Sequence, residues 1–168
     1  MTEIISETDS NLILLDELAD YQHHILTISE RSQRQLVILS QELDFPVYSQ
    51  ETLCSTIIQL LRYDRQARVS VLVKNIRPMV ERGHRLLKLA RRMSSKIEIR
   101  KLTAEPEDET RAYAIGDQRY LLYKHDDNEY RGFVNYNGAP ESKSLLEEFT
   151  YLWEQHSYLD PALRQLVI

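Results

Sequence analysis

Two short runs of apolar residues constrain the fold of this chain more than any other feature of its sequence. Residues 36–39 and 69–73 are apolar or β-branched almost throughout, and polar residues do not alternate regularly within them. Runs of this length are too short for the core of a helix and are typical of strands covered on both faces. The segment between them has apolar residues every three or four positions, as in an amphipathic helix. The sequence therefore predicts an α/β fold.

The remaining elements follow from the same two periodicities. We predict helices over residues 16–32, 49–65 and 75–93, a last helix with a capping box of Ser144 and Glu147, and strands over residues 97–100, 113–115, 120–123 and 130–136. Strands and helices alternate through the first part of the chain, which implies right-handed crossovers. The predicted architecture is a three-layer sandwich, in which a mixed, mostly parallel sheet carries helices on both faces.

The length of the chain fits one domain rather than two. A chain of 168 residues buries about 70% of its unfolded surface, and we assign residues 11–168 to a single domain after a flexible lead, residues 1–10. Cys54 is the only cysteine, so no intramolecular disulfide can form and a cytoplasmic location is expected. The first residues lack the bases of a signal peptide, and no apolar run reaches the roughly 18 residues of a membrane span.

Positive charge is concentrated in one fifth of the sequence. Residues 68–101 hold eleven Lys and Arg against two acids, a local charge of +9, whereas the rest of the chain sums to −14. Arg85, Lys88 and Arg92 fall on one face of the predicted third helix and are candidates for a basic surface. The face suits nucleic acid, an acidic partner or pairing with the acidic remainder of the chain. The overall negative charge disfavours nucleic acid.

A second group of polar residues follows the buried run 69–73. Lys74, Asn75 and Arg77 stand where that strand ends and the next helix begins. Ligands of open α/β sheets gather at the carboxyl ends of the strands, and the first amide groups of a helix favour negative charge. These residues are therefore candidates for binding an anion, although a solvated strand end has the same pattern.

No metal, cofactor or nucleophile site is predicted. His23, His24 and His84 lack partners at the spacing of metal ligands, and no P-loop, G-x-S-x-G or G-x-G-x-x-G motif occurs. The sequence His-Asp-Asp at residues 125–127 is interpreted as a solvated hairpin turn. Cys54 lies within an apolar helical pattern and is interpreted as a packing residue.

The C-terminal third resembles the closing segment of a phospholipase D-like half-domain. That superfamily has the motif H-x-K-x-x-x-x-D, then a strand, a G-S-x-N turn and a helix. Asp117, the segment Gly-Phe-Val-Asn at residues 132–135, and Phe-Thr-Tyr-Leu-Trp at 149–153 match this order. Counting back from Asp117 puts Thr110 and Ala112 in the positions of the motif His and Lys, and Phe133 in that of the serine. Asp117 and Asn135 are by this match further candidates for the anion site.

The resemblance implies that the chain has the fold of the superfamily but lacks its catalytic His and Lys. In the superfamily the His attacks phosphorus and the Lys neutralises the oxyanion, which threonine and alanine cannot do. Residues 82–95 also resemble a bacterial family of this type, in which some members are fused to acetyltransferase domains. A non-catalytic module, a pseudoenzyme, is therefore the leading hypothesis. It would be a homodimer that binds a protein partner or a small anionic ligand.

Two alternatives remain open at this point. The first is a phosphoryl-transfer or phosphodiester-hydrolysing enzyme, in which Lys74, Asn75 and Arg77 clamp an anion and Asp117 acts as the base. The second is a nucleic-acid-binding protein that uses the basic face of the third helix.

Overall fold

The computed structural model describes residues 12–103 and 110–164, and the predicted lead, residues 1–10, lies outside them. The strands are β1 (Leu12–Leu15), β2 (Gln35–Ser40), β3 (Arg68–Val73), β4 (Ile97–Leu102), β5 (Ala112–Gly116), β6 (Tyr120–Lys124), β7 (Gly132–Asn135) and β8 (Ser157–Tyr158). The helices are α1 (Leu18–Arg31), α2 (Phe45–Tyr48), α3 (Glu51–Tyr63), α4 (Arg77–Arg82), α5 (Arg85–Arg92), α6 (Ala139–Gln155) and α7 (Pro161–Arg164).

All the described strands form one mixed sheet in the order β1-β7-β6-β5-β2-β3-β4-β8. Only the pairs β2–β3 and β3–β4 are parallel, and the other five pairs are antiparallel. The prediction of a mostly parallel sheet is therefore wrong. Helical crossovers join β2, β3 and β4, but short turns join β5, β6 and β7, and a short turn can only connect antiparallel neighbours.

Two further boundaries differ from the sequence prediction. The predicted third helix is not continuous. The helix α4 ends at Arg82 and is capped by Gly83, which has a φ of 65°, and α5 starts after His84. That left-handed conformation favours glycine and ends a helix. The last helix begins at Ala139, so Ser144 and Glu147 lie inside it rather than at its cap.

The sheet is covered by apolar side chains on both faces. Along β2, Leu36 and Ile38 point into one core with residues of α1, α3 and α5, whereas Val37 and Leu39 point into a second core with α6. This alternation explains the continuous apolar runs, because both faces of the central strands are buried. Cys54 packs against the first core, and burial raises the pKa of its thiol.

The strand directions define two edges of the sheet. We call the edge at which β2, β3 and β4 end the carboxyl edge. Because β5 and β7 run antiparallel to β2 and β6, the start of β5, the end of β6 and the start of β7 lie at this same edge. The turn after β5 and the end of β7 lie at the opposite, amino edge.

No helix among the described residues is both long enough and apolar enough to cross a membrane.

Candidate functional site

A buried ion-pair network occupies the carboxyl edge. We call it the edge network, and it consists of Ser40, Asp44, Lys124, Asp127 and Tyr130. Lys124 Nζ lies 2.9 Å from Asp127 Oδ1 and 3.9 Å from Asp44 Oδ2. The side chains of Lys124 and Asp127 are only 8% and 6% exposed. Charges buried to this degree require partners, and here they partner each other.

Asp127 ties the β6–β7 turn to the end of β2. Its Oδ2 accepts hydrogen bonds from Ser40 Oγ at 2.9 Å and from the backbone N–H of Gln41 at 2.8 Å. Its Oδ1 accepts from Lys124 at 2.9 Å. The interpretation of residues 125–127 as a solvated turn is therefore wrong for Asp127, since the contacts that bury it come from a strand more than 80 residues away.

Asp44 is less completely paired than Asp127. Tyr130 OH donates to Asp44 Oδ2 at 2.7 Å, and the Lys124 ammonium lies over the Tyr130 ring, 4.5 Å from its centroid. Burial raises the pKa of Asp44, although the Tyr130 hydrogen bond and Lys124 act in the opposite direction. Burial and the bond to Asp44 also raise the pKa of Tyr130.

A cavity of about 280 Å³ opens beside the edge network. It lies between the segment that follows β2, the helix α4 and the β6–β7 turn. Glu42, Asp44 and Asp127 line it together with a single cation, Arg82, whose guanidinium covers the ring of Phe45. Even when the Lys124 ammonium is counted against Asp44 and Asp127, the carboxylates outnumber the cations here, which does not favour a phosphate at this position. No group of three or more His, Cys, Asp or Glu side chains in residues 12–103 and 110–164 could hold a metal ion.

His84 lies at the wall of this cavity and not on the basic surface of the helix. Its Nδ1 accepts from the backbone N–H of Leu86 at 3.1 Å, so it caps α5, and its Nε2 is left to donate to the Leu43 carbonyl, also at 3.1 Å. Its ring meets Phe45 edge to face. Burial lowers the pKa of His84 to about 4 despite the bond to Leu43. The imidazole is therefore a neutral structural cap at neutral pH.

Three of the predicted anion-binding residues lie together at the carboxyl edge. Lys74, Asn75 and Arg77 follow β3 directly. However, the Asn75 amide lies 3.4 Å from Glu42 Oε2, and its carbonyl accepts from the Arg77 backbone N–H. The Arg77 guanidinium pairs with Glu81 at 3.5 Å. Acidic neighbours thus weaken the attraction that this group was expected to offer an anion.

The other two predicted residues, Asp117 and Asn135, lie at the amino edge. The carboxylate of Asp117 accepts three consecutive backbone N–H groups, those of residues 33–35, at 2.8, 2.9 and 3.1 Å. Asn135 Oδ1 accepts from the backbone N–H of Asn137 at 2.8 Å. The length of the strands separates these residues from Lys74, so the five candidates do not form one site.

Replacing Asp117 with alanine is expected to lower the free energy of unfolding by about 2 kcal/mol, because three backbone donors lose a charged acceptor. Urea unfolding followed by circular dichroism measures the change. Glu129→Ala is the matched control, since it removes the same charge from an exposed turn. A loss in the control as large as that in Asp117→Ala would show that net charge, and not the loop contacts, is responsible.

The segment matched to the G-S-x-N turn is not a turn. Residues 132–135 form β7, where Phe133 stacks on Tyr123 at 5.2 Å between ring centroids. The turn that follows β6 is instead residues 125–131, which includes Asp127. Thr110 and Ala112, at the positions of the motif His and Lys, stand at the start of β5 on the carboxyl edge. Thr110 accepts the backbone N–H of Asp127, and Ala112 lies directly opposite Lys124.

Arg85, Lys88 and Arg92 are all exposed on α5. No carboxylate in the part of the chain that the structure describes lies within ion-pair distance of them. Their expected pairing with the acidic remainder of the chain is therefore not seen among these residues.

The fold is similar to that of solved structures that include phospholipase D-like proteins. TrmBL2, an archaeal chromatin protein, shares 13% identity at a TM-score of 0.62, over 92% of this chain and 60% of TrmBL2. Phosphatidylserine synthase from Haemophilus influenzae shares 16% sequence identity at a TM-score of 0.56, over 86% of this chain and 38% of the synthase. NucT from Helicobacter pylori shares 11% sequence identity at a TM-score of 0.54, over 86% of this chain and 95% of NucT. The synthase and NucT both have the phospholipase D-like fold, and identities this low show the fold alone.

The sequence matches the family described as a domain of unknown function, DUF7931, over residues 17–166, and the chain belongs to that family. Comparison with curated proteins gave no match. The chain spans less than two thirds of both TrmBL2 and the synthase.

Proposed function

We propose that this chain is a non-catalytic phospholipase D-like module whose role is to bind a partner. The edge network is the observation that carries the proposal. A phosphodiester exchange needs a nucleophile and a cation that can be offered to the phosphate. At the carboxyl edge Lys124 lies directly opposite Ala112, the position of the motif Lys, and it is already held by Asp44 and Asp127.

The imidazole of His84, which lines the cavity at this edge, is unsuited to attack phosphorus. Both ring nitrogens of His84 are engaged with backbone groups, and the ring is fully buried. Thr110 and Ala112 supply neither a nucleophile of comparable strength nor a charge. These features support a module that keeps the three-layer scaffold. The polar residues at its carboxyl edge then serve stability.

The positions of the candidate residues argue against the hypothesis of an enzyme with a non-standard site. It required Lys74, Asn75, Arg77 and Asp117 to converge, and Asp117 lies at the amino edge, where it binds the backbone of residues 33–35. The same residues therefore cannot clamp and activate one phosphate.

We expect no turnover of bis(p-nitrophenyl) phosphate by the purified chain above the rate in buffer, because Thr110 and Ala112 stand at the positions of the motif His and Lys and Lys124 is held by Asp44 and Asp127. The measurement is p-nitrophenolate absorbance during prolonged incubation, compared with Lys74→Ala, Asn75→Ala and the exposed control Lys143→Ala. Turnover that the first two variants abolish and Lys143→Ala retains would contradict the proposal.

A homodimer remains part of the proposal, as does a cytoplasmic location. Sedimentation velocity at two protein concentrations decides whether the chain self-associates.

Nucleic acid becomes a second candidate for the partner. TrmBL2, the chromatin protein with a similar fold, binds DNA in a mode of its own. This does not fit the prediction that overall negative charge disfavours nucleic acid. Local charge rather than net charge governs the first contact with a polyanion, and α5 presents three exposed cations without acidic partners among the described residues.

A further inference from the structure

The outer side of α5 carries a row of cations that we call the basic face, made of Arg85, Lys88 and Arg92. They are spaced three and four residues apart, which places them on one side of the helix. At about 1.5 Å of rise per residue, the row is about 10 Å long. The apolar residues of the same helix, Leu86, Leu87, Leu89 and Ala90, all point into the protein.

No carboxylate in the described structure forms an ion pair with this face. α5 itself contains no Asp or Glu. Arg85 donates to the carbonyl of Ser49 at 3.0 Å, which orients its guanidinium without cancelling its charge. Arg91, the remaining cation of the helix, differs from the three because it is half-buried and donates to the carbonyls of Ala162 and Leu163.

The neighbouring helix α3 extends the positive surface. Arg85 and Arg92 both lie close enough to Cys54 of α3 to favour its thiolate electrostatically, so the two helices are adjacent there. The last turn of α3 adds the exposed Arg62, whereas Lys96, which donates to the Leu61 carbonyl at 2.9 Å, lies near the carboxylate of Asp64. Glu51 is the single acid of α3.

This arrangement suits an extended polyanion better than a single small anion. Exposed like charges three and four residues apart on a helix repel one another, and all three side chains of the basic face are exposed to solvent. A duplex presents about one phosphate charge per 1.7 Å of its axis, so it meets several cations of the row at once.

We propose that the basic face binds the phosphate backbone of nucleic acid. The inference rests on the proposed function, because it names the partner of the binding module. Contacts to phosphates fix position and carry no sequence information, so the binding is independent of base sequence. An anionic membrane surface fits less well, because α5 offers no exposed apolar side chain to enter a bilayer.

The experiment is fluorescence anisotropy with a labelled DNA duplex of about 25 base pairs, titrated from about 25 to 200 mM salt. The test variant is Arg85→Ala/Lys88→Ala/Arg92→Ala. Its matched control, Arg65→Ala/Arg131→Ala/Lys143→Ala, removes the same charge from exposed positions outside α5. We expect the slope of log K against log salt to become shallower by up to about 3 in the test variant, with affinity at about 50 mM salt lowered at least tenfold. The control should remain within about threefold of wild type.

Three results would overturn the inference. They are no DNA binding at the lowest salt, an equal loss in the control variant, and binding to phosphatidylglycerol vesicles in place of DNA. Circular dichroism melts of both variants verify that they are folded. Cleavage of the duplex would instead contradict the non-catalytic function, and it is seen on a gel independently of anisotropy, so the two failures are distinguishable.

Discussion

Replacing Asp127 with alanine is expected to lower the free energy of unfolding by about 3–5 kcal/mol. The substitution leaves the Lys124 ammonium 8% exposed and 3.9 Å from its nearest remaining carboxylate, Asp44. It also removes the acceptor for Ser40 Oγ and for the Gln41 backbone N–H, which joins the β6–β7 turn to β2. Urea unfolding of wild type and variant, monitored by far-ultraviolet circular dichroism, measures the difference.

Asp126→Ala is the matched control for this prediction. Asp126 is the preceding residue in the same turn, and its carboxylate accepts only the backbone N–H of Asn128 within the described structure. We expect a loss of about 1 kcal/mol or less. If Asp127→Ala cost no more than Asp126→Ala, the edge network would not be a stabilising element, and the explanation of why Lys124 is unavailable to a ligand would fail with it.

The second large effect is expected from pH. The pKa of His84 lies at about 4 in the folded chain against 6.5 for an ordinary imidazole, so the unfolded chain binds the proton more tightly. The contribution of His84 to the free energy of unfolding is therefore fully present above about pH 6.5. It is lost as the pH drops towards 4, by about 3 kcal/mol in all. Protonation of Nδ1 would also remove the acceptor for Leu86 and place a positive charge at the N-terminus of α5, where the helix dipole opposes it.

His84→Asn tests this assignment. Asparagine can still cap α5 through its side-chain oxygen but does not titrate, so the variant should lose most of the fall in stability between pH 6.5 and 4. His125→Asn, at an exposed position, is the control and should keep the wild-type profile. Parallel pH profiles for wild type and His84→Asn would assign the acid sensitivity to other groups.

The central part of the fold is predictable from the sequence because its signals are local. Residues 36–39 and 69–73 became strands covered on both faces, as continuous apolar runs predict. The proportion of parallel pairing was not predictable in the same way. It depends on β5 pairing with β2 across about 75 residues of chain and on β1 pairing with β7, and neither contact leaves a periodic signal in the sequence.

The edge network was missed for a related reason. Its bonds join Asp127 to Ser40 and Tyr130 to Asp44, residues that are more than 80 positions apart. Locally the turn at 125–127 has the polar composition of a solvated hairpin, and only the tertiary fold buries Asp127. Asp117 was noticed because of a motif, but its role depends on the neighbouring loop at residues 33–35.

The order of strands places the first and the last strand of the described sheet far apart. β1 and β8 form the two outermost positions of the described sheet, with six strands between them. At about 4.8 Å per strand, these two strands lie roughly 30 Å apart once twist is allowed for. A molecule bound along β1 and another bound along β8 would therefore lie on opposite sides of the sheet and could not touch each other there.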